Sequence, residues 1–437
     1  VTPGRELSAD LYRVVAVLVV VAGHWLISSV FYRDGQFGNE YPLDVMPWTQ
    51  WLTLVFQVVP VFFLVGGYAS ATSWMRYGDG GGGPWIDWVR HRLGAILGPT
   101  TAYAVLAFLV IAALDRVGVE RSALSFGGWA VAMHLWFIPV YLVVVALTPA
   151  AMAAHRRWRL LVPTALVLAV VAVDVVARLT REPAIGVANY VLCWGAVYQI
   201  GICWRGGALR GTRALLLAAG GSAVVVILLA LRWYPISMVG APGAKEQNNF
   251  PPNVALLAFS VAQAGILVAV APAVTRLLRR SRLQRPLAAA NANVMALYLW
   301  QMVPVVVVAL VAYPAGLLPQ PAPGTGEWWL LRLAWLAILS AVTAAELALL
   351  WATRSVFDRA LPSISVPLPR WNASLLLCAG IASSTVALAR VSVAGFAPNG
   401  RVPVTEGLLY GAGVVLLSLK SVGVQRRSRG HGQAPSR

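Results

Sequence analysis

Apolar stretches long enough to cross a bilayer recur along this chain, separated by short connections rich in arginine, glycine and proline. A spanning helix needs about 20 consecutive apolar residues. On that rule the pattern predicts spans at approximately 11–32, 51–75, 94–114, 129–150, 160–177, 187–204, 214–231, 253–275, 291–313, 328–352, 373–389 and 404–419. The expected fold is all-α: an integral membrane, polytopic helical bundle of about 12 transmembrane helices. The run from Gly78 to Pro84 breaks any helix, and the proline-rich stretch Leu361–Arg370 separates ten helices from a final pair. The expected organisation is a ten-helix core over 1–355, two additional helices within 356–424, and a basic, disordered tail over 425–437. The connection Tyr234–Asn253 reads as a solvated loop, with a cover over an acceptor site as the alternative.

Composition agrees with the pattern. Hydrophobic residues are 59% of the 437, and mean hydropathy is +0.72. Charged residues are 11%, against roughly 25% in soluble domains. The net charge of +18 would suit a nucleic-acid partner if it were clustered on a polar domain. Instead, 23 of the 34 Lys and Arg lie at the two termini and in alternate connections, around Arg76–Arg92, Arg156–Arg159, Arg205–Arg213, Arg276–Arg285 and Arg354–Arg370. Basic loops stay inside, so both termini are expected to be cytoplasmic. The partner this charge implies is the lipid bilayer, with its anionic headgroups, and no nucleic acid. Tryptophans near span ends, among them Trp48, Trp51, Trp85, Trp88, Trp328 and Trp329, read as interfacial anchors. Cys193, Cys203 and Cys378 have no metal-ligand spacing, and no metal is expected.

The chemistry concentrates in the first span. Arg13 and His24 are eleven residues apart, and the ten between them are apolar or glycine. Eleven residues of α-helix amount to about three turns and about 16 Å, so both side chains fall on one face at two depths. Ionisable side chains inside a span are costly and usually face a functional path. Histidine is the side chain best suited to exchanging protons near neutral pH.

Asp10, Arg13 and His24-Trp25 resemble the first-helix signature of the acyltransferase 3 family of bacterial integral membrane acyltransferases. Further similar segments follow in order: Val61–Tyr68, with Gly66 in place of the family's serine; His134–Pro139, with Trp136-Phe137; and Asn293–Gln301, where Gln301 stands in the place of a frequent histidine. Arg90-His91-Arg92 resembles the family's arginine pair, although Ala95 occupies the second arginine position. The resemblance covers residues 1 to about 355. It implies transfer of an acyl group, commonly acetyl, from acyl-CoA to a hydroxyl of a carbohydrate, glycolipid or glycosylated metabolite of the cell envelope, at a bacterial inner (plasma) membrane.

On this reading His24 is the general base, and an acyl-histidine is the variant. Arg13 binds the donor, with Arg90 and Arg92 as further contacts to acyl-CoA phosphates. Asp10, which could pair with Arg13, and His134, Trp136 and Tyr298 are candidate substrate-binding residues. Each has a plainer alternative: helix packing for His24, His134 and Tyr298, snorkelling for Arg13, a helix cap for Asp10, and positive-inside topology for Arg90 and Arg92. Two other functions compete. One is a transporter or flippase, which would favour paired halves with interrupted helices. The other is a polyprenyl-phosphate-sugar glycosyltransferase using Asp34, Glu40 or Asp44 in the first outer loop.

Overall fold

A computed structural model describes residues 6–240, 247–367 and 370–421. The expected tail over 425–437 lies outside the described residues. Eleven helical segments are long and apolar enough to cross a membrane. They are α1 (Leu7–Ile27), α2 (Pro47–Asp79), α3 (Trp85–Arg116), α4 (Arg121–Ala146), α5 (Leu161–Thr180), α6 (Pro183–Arg205), α7 (Thr212–Ala230), α8 (Val254–Arg280), α9 (Val294–Ala312), α10 (Gly326–Ala352) and α11 (Asn372–Ala394). A twelfth, α12 (Val404–Ser418), is apolar but shorter. Each corresponds to one expected span. The chain is a multi-pass helical membrane protein.

Sheet structure is confined to two small ribbons among the described residues. Strands β1 (Ser29–Arg33) and β2 (Gln36–Glu40) pair antiparallel directly after α1. Asp34 and Gly35 make the turn with φ of 51° and 77°, the Asp-Gly hairpin that suits twisted strands. Strand β3 (Ile364–Val366) runs parallel to β4 (Leu419–Ser421), tying the start and end of the last helical pair. That pair is packed into the main core: Leu377, Leu388, Val391 and Phe396 join the same buried cluster as Trp25, Phe63 and Leu135.

Three spans that read as continuous in the sequence are interrupted. The break in α2 falls at Gln57-Val58, between Thr53–Phe56 and Val59–Asp79. In α4 a 3-10 turn, Met133–Trp136, separates Arg121–Ala130 from Phe137–Ala146. In α9, Val294–Trp300 and Val303–Ala312 flank Gln301-Met302. A proline follows each break, at Pro60, Pro139 and Pro304. Proline lacks an N–H and suits the first turn of a helix, so it marks where each second half starts. Irregular backbone at membrane depth is tolerated only where it is buried in protein or lines a cavity.

Helices α2 and α6 cross at a glycine pair. A Cβ on Gly67 would lie 2.0 Å from the carbonyl oxygen of Tyr198, and one on Gly201 would lie 2.0 Å from that of Leu64. Small residues let backbones touch, which drives helix association where lipid supplies no hydrophobic contrast.

Candidate functional site

The interrupted helices surround a cavity of about 670 Å³. On α1 its lining runs from Arg13 through Val20 and His24 to Ile27, fifteen residues or roughly 20 Å of helix. One end holds Arg13 and Asn291; the other is walled by Thr49, Gly240, Gln247, Trp328 and Trp329. Arg13 is the one charged side chain among the lining residues described. The helical phase inferred from the sequence therefore holds: Arg13 and His24 face one space at two depths.

At the Arg13 end, its Nη1 donates to Asn291 Oδ1 at 3.3 Å. This leaves most of the guanidinium fork for a ligand, since arginine carries five N–H donors. His24 lies three turns deeper, where Gly23 lets the ring of Phe56 approach to 3.1 Å from where a Cβ would sit. Nδ1 of His24 lies 3.0 Å from Oε1 of Gln301, Trp25 Nε1 donates to the carbonyl of Gln301 at 2.8 Å, and Ser28 Oγ donates to the carbonyl of His24 at 2.6 Å. The ring is thus held from the break in α9, across the bundle.

The break in α4 brings a second imidazole to the cavity. His134 is 2% exposed; its Nε2 donates to the carbonyl of Leu299 at 3.0 Å, and its Nδ1 has no hydrogen-bond partner among the described residues. A carbonyl only accepts, so Nε2 carries the proton and Nδ1 presents a lone pair. Tyr298 Oη donates to the backbone carbonyl of His134 at 2.6 Å. The Tyr298 hydroxyl therefore sets the position of His134, while its ring meets the His134 ring edge-on at 5.4 Å between centroids. Trp136 lines the cavity and packs edge-on against Phe250 at 5.6 Å.

Of the eight side chains expected at the site, Arg13, His24, His134, Trp136 and Tyr298 line the cavity, and Asp10, Arg90 and Arg92 do not. Arg90 is buried and directed at α12: its Nε donates to the carbonyl of Leu417 at 3.1 Å, and its Nη1 lies 3.7 Å from Asp87. Arg92 points to Ser70 Oγ at 3.5 Å, with its guanidinium 6.0 Å from the centre of the Trp88 ring. Asp10 is buried near the start of α1.

Several contributors escaped the sequence reading. Trp328, taken as an interfacial anchor, is 3% exposed and lines the cavity; Trp48 and Trp51 are exposed. The described residues of the connection that reads as a solvated loop, 234–240 and 247–253, instead border the Trp328 end, with Gly240, Gln247, Asn249 and Phe250 in the lining. It is anchored by Gln57 Nε2 donating to the carbonyl of Met238 at 2.6 Å and by Tyr234 Oη donating to Asp174 Oδ2 at 2.5 Å. Its four Asn and Gln side chains from Gln247 to Asn253 were the available signal, since buried amides need partners. Gly66, where the related pattern has serine, leaves room for Tyr141: a Cβ there would lie 2.7 Å from Tyr141 Oη, and Tyr141 lines the cavity. From α11, Ser392 and Val393 complete one wall.

Arg332, buried on α10, donates from Nη1 to the carbonyl of Ser28 at 2.6 Å and stacks on Trp328 at 4.6 Å. The outer-loop carboxylates Asp34, Glu40 and Asp44 lie outside the cavity lining, and Glu40 pairs with Arg33 at 3.1 Å.

No curated protein and no solved structure matches the chain. A family model described as an acyltransferase domain matches residues 6–351, from the first turn of α1 to the last turn of α10. That match spans both halves of the cavity and all three interrupted helices, and the chain belongs to the acyltransferase 3 family of membrane acyltransferases.

Proposed function

We propose that this protein moves an acyl group, commonly acetyl, from a cytoplasmic acyl-CoA to a hydroxyl of a carbohydrate, glycolipid or glycosylated metabolite, in the plasma membrane of a bacterium. The observation that carries this reading is the shared cavity of Arg13 and His24, about 16 Å apart along one helix. The positive-inside rule puts the Arg13 end at the cytoplasm. There the guanidinium meets a phosphate or the polar arm of the donor, and the thin acyl-bearing arm extends towards His24. The acceptor comes from the Trp328 end. Its neutral, aromatic walls suit a sugar ring or an uncharged amphipathic molecule, and Asn249 Oδ1, buried without a hydrogen-bond partner among the described residues, is an acceptor for a hydroxyl.

His24 takes the proton of the acceptor hydroxyl as its oxygen attacks the thioester carbonyl. The new C–O bond forms, the C–S bond breaks, and the proton passes to the departing thiolate to give free CoA. No metal is required by this sequence. Base catalysis of this kind contributes about 10²- to 10⁴-fold. Purified protein in lipid nanodiscs is expected to hydrolyse labelled acetyl-CoA slowly when no acceptor is present. His24→Ala is expected to lose that turnover by the same factor while keeping its size-exclusion profile. Full turnover by a folded His24→Ala protein would refute the assignment of the base.

A further inference from the structure

Nothing in the chemistry of Gln301, a neutral amide, suggests proton transfer. Its surroundings give it another task. The side-chain amide makes two hydrogen bonds: Nε2 donates to the carbonyl of Tyr298 at 3.0 Å, and Oε1 lies 3.0 Å from His24 Nδ1. Gln301 is fully buried, and its own carbonyl is held by Trp25 Nε1.

These contacts leave one consistent arrangement of protons. A backbone carbonyl has lone pairs and no proton, so the amide atom facing Tyr298 must be the NH₂ group. The atom facing His24 is then the amide oxygen, which also only accepts. His24 Nδ1 must therefore carry a proton, because a bare Nδ1 would set two lone pairs against each other. The proton-free nitrogen is Nε2, on the far side of the ring, and His24 lines the cavity.

The break in α9 is what supplies these partners. The helical ladder lapses between Val294–Trp300 and Val303–Ala312, so the carbonyls just before the break lose their usual N–H partners four residues on. The carbonyls of Tyr298, Leu299 and Gln301 accept instead from the side chains of Gln301, His134 and Trp25. One short irregular segment thus orients both imidazoles of the cavity.

We infer that Gln301 is a positioning residue that holds His24 in the Nδ1–H tautomer, keeping Nε2 free to accept a proton from a substrate in the cavity. The amide oxygen also keeps its bond when the ring gains that proton, because Nδ1–H is present in both states. The role parallels that of the orienting carboxylate of a hydrolase triad, without its charge. The kinetic consequence rests on the acyl-transfer reading above; the tautomer itself does not.

The test uses full-length protein in nanodiscs with ¹⁵N-labelled histidine. Solid-state NMR distinguishes protonated from bare ring nitrogens, and the His24 signals are those missing from His24→Gln. Wild type is expected to show a proton on Nδ1. Gln301→Leu, similar in volume and unable to hydrogen-bond, is expected to shift His24 towards the Nε2–H form. With labelled acetyl-CoA it should lose about 100-fold in kcat, the lower range of a base's contribution, with KM little changed. Gln301→Glu, as the neutral acid, keeps an acceptor oxygen towards His24 and an O–H donor towards the carbonyl of Tyr298, and should recover most of that loss, which general damage to packing would not allow. A wild-type His24 protonated on Nε2, or a folded Gln301→Leu protein that keeps the Nδ1–H form, overturns the inference. If wild type leaves acetyl-CoA untouched, the proposed function fails, while the NMR result still decides the tautomer.

Discussion

Gly201→Ala tests whether the α2–α6 crossing is held by backbone contact. An added Cβ would sit 2.0 Å from the carbonyl oxygen of Leu64, where ordinary contact begins near 3.4 Å. The obstacle is backbone on both sides, so relief requires α2 and α6 to part by the difference, about 1.4 Å. A radial gap of 0.5–1 Å already forfeits a quarter to a half of a dispersion contact. The separation would act on a seam whose large side chains, Phe63, Leu64, Trp194 and Tyr198, are at most 1% exposed. The cost should reach the top of the usual overpacking range, about 3 kcal/mol. That lowers the apparent unfolding midpoint of detergent-solubilised protein by about 3 °C. Gly66→Ser, one residue from the partner glycine, is the control. Its Cβ meets the hydroxyl end of Tyr141, which can swing into the cavity, so the midpoint should fall much less. The assay is a heating series read by fluorescence-detected size exclusion. Equal midpoints for wild type and Gly201→Ala would refute the reasoning.

Two further outcomes separate the arginines and the tyrosine. Arg13→Ala should raise KM for acetyl-CoA by about 10-fold or more, as expected when a charged hydrogen bond worth about 1.5–3 kcal/mol is lost, whereas Arg90→Ala should leave KM unchanged and instead lower the unfolding midpoint by freeing α12 from the Leu417 carbonyl; equal KM effects in the two variants would argue against the cavity as the donor path. Tyr298→Phe removes the donor to the His134 carbonyl and should reduce acetyl-CoA turnover by about 10-fold through misplacement of His134, and a fully active Tyr298→Phe would show that His134 needs no such support.

What the sequence determined by itself are the properties that depend on neighbours along the chain. Span length follows from residue-by-residue transfer into lipid, so every expected span has a helical counterpart. The Arg13–His24 alignment follows from the turn of a single helix, and both side chains do face the same cavity. The family was legible because its motifs are local. The tertiary structure alone decided which distant groups meet. Gln301 reaches His24 across 277 positions, and nothing in an almost uniformly apolar α9 marks the face that carries it. Hydrophobic periodicity carries little information here, because both lipid-facing and core-facing sides are apolar. The breaks in α2, α4 and α9 were hidden for a related reason: a proline in an apolar run is compatible with a continuous span, and only packing shows that the freed carbonyls are taken by side chains. Arg90 and Trp328 show the same limit from opposite sides. Position relative to the bilayer suggested a phosphate contact and an interfacial anchor, yet packing turned Arg90 to the Leu417 carbonyl and Trp328 to the cavity wall.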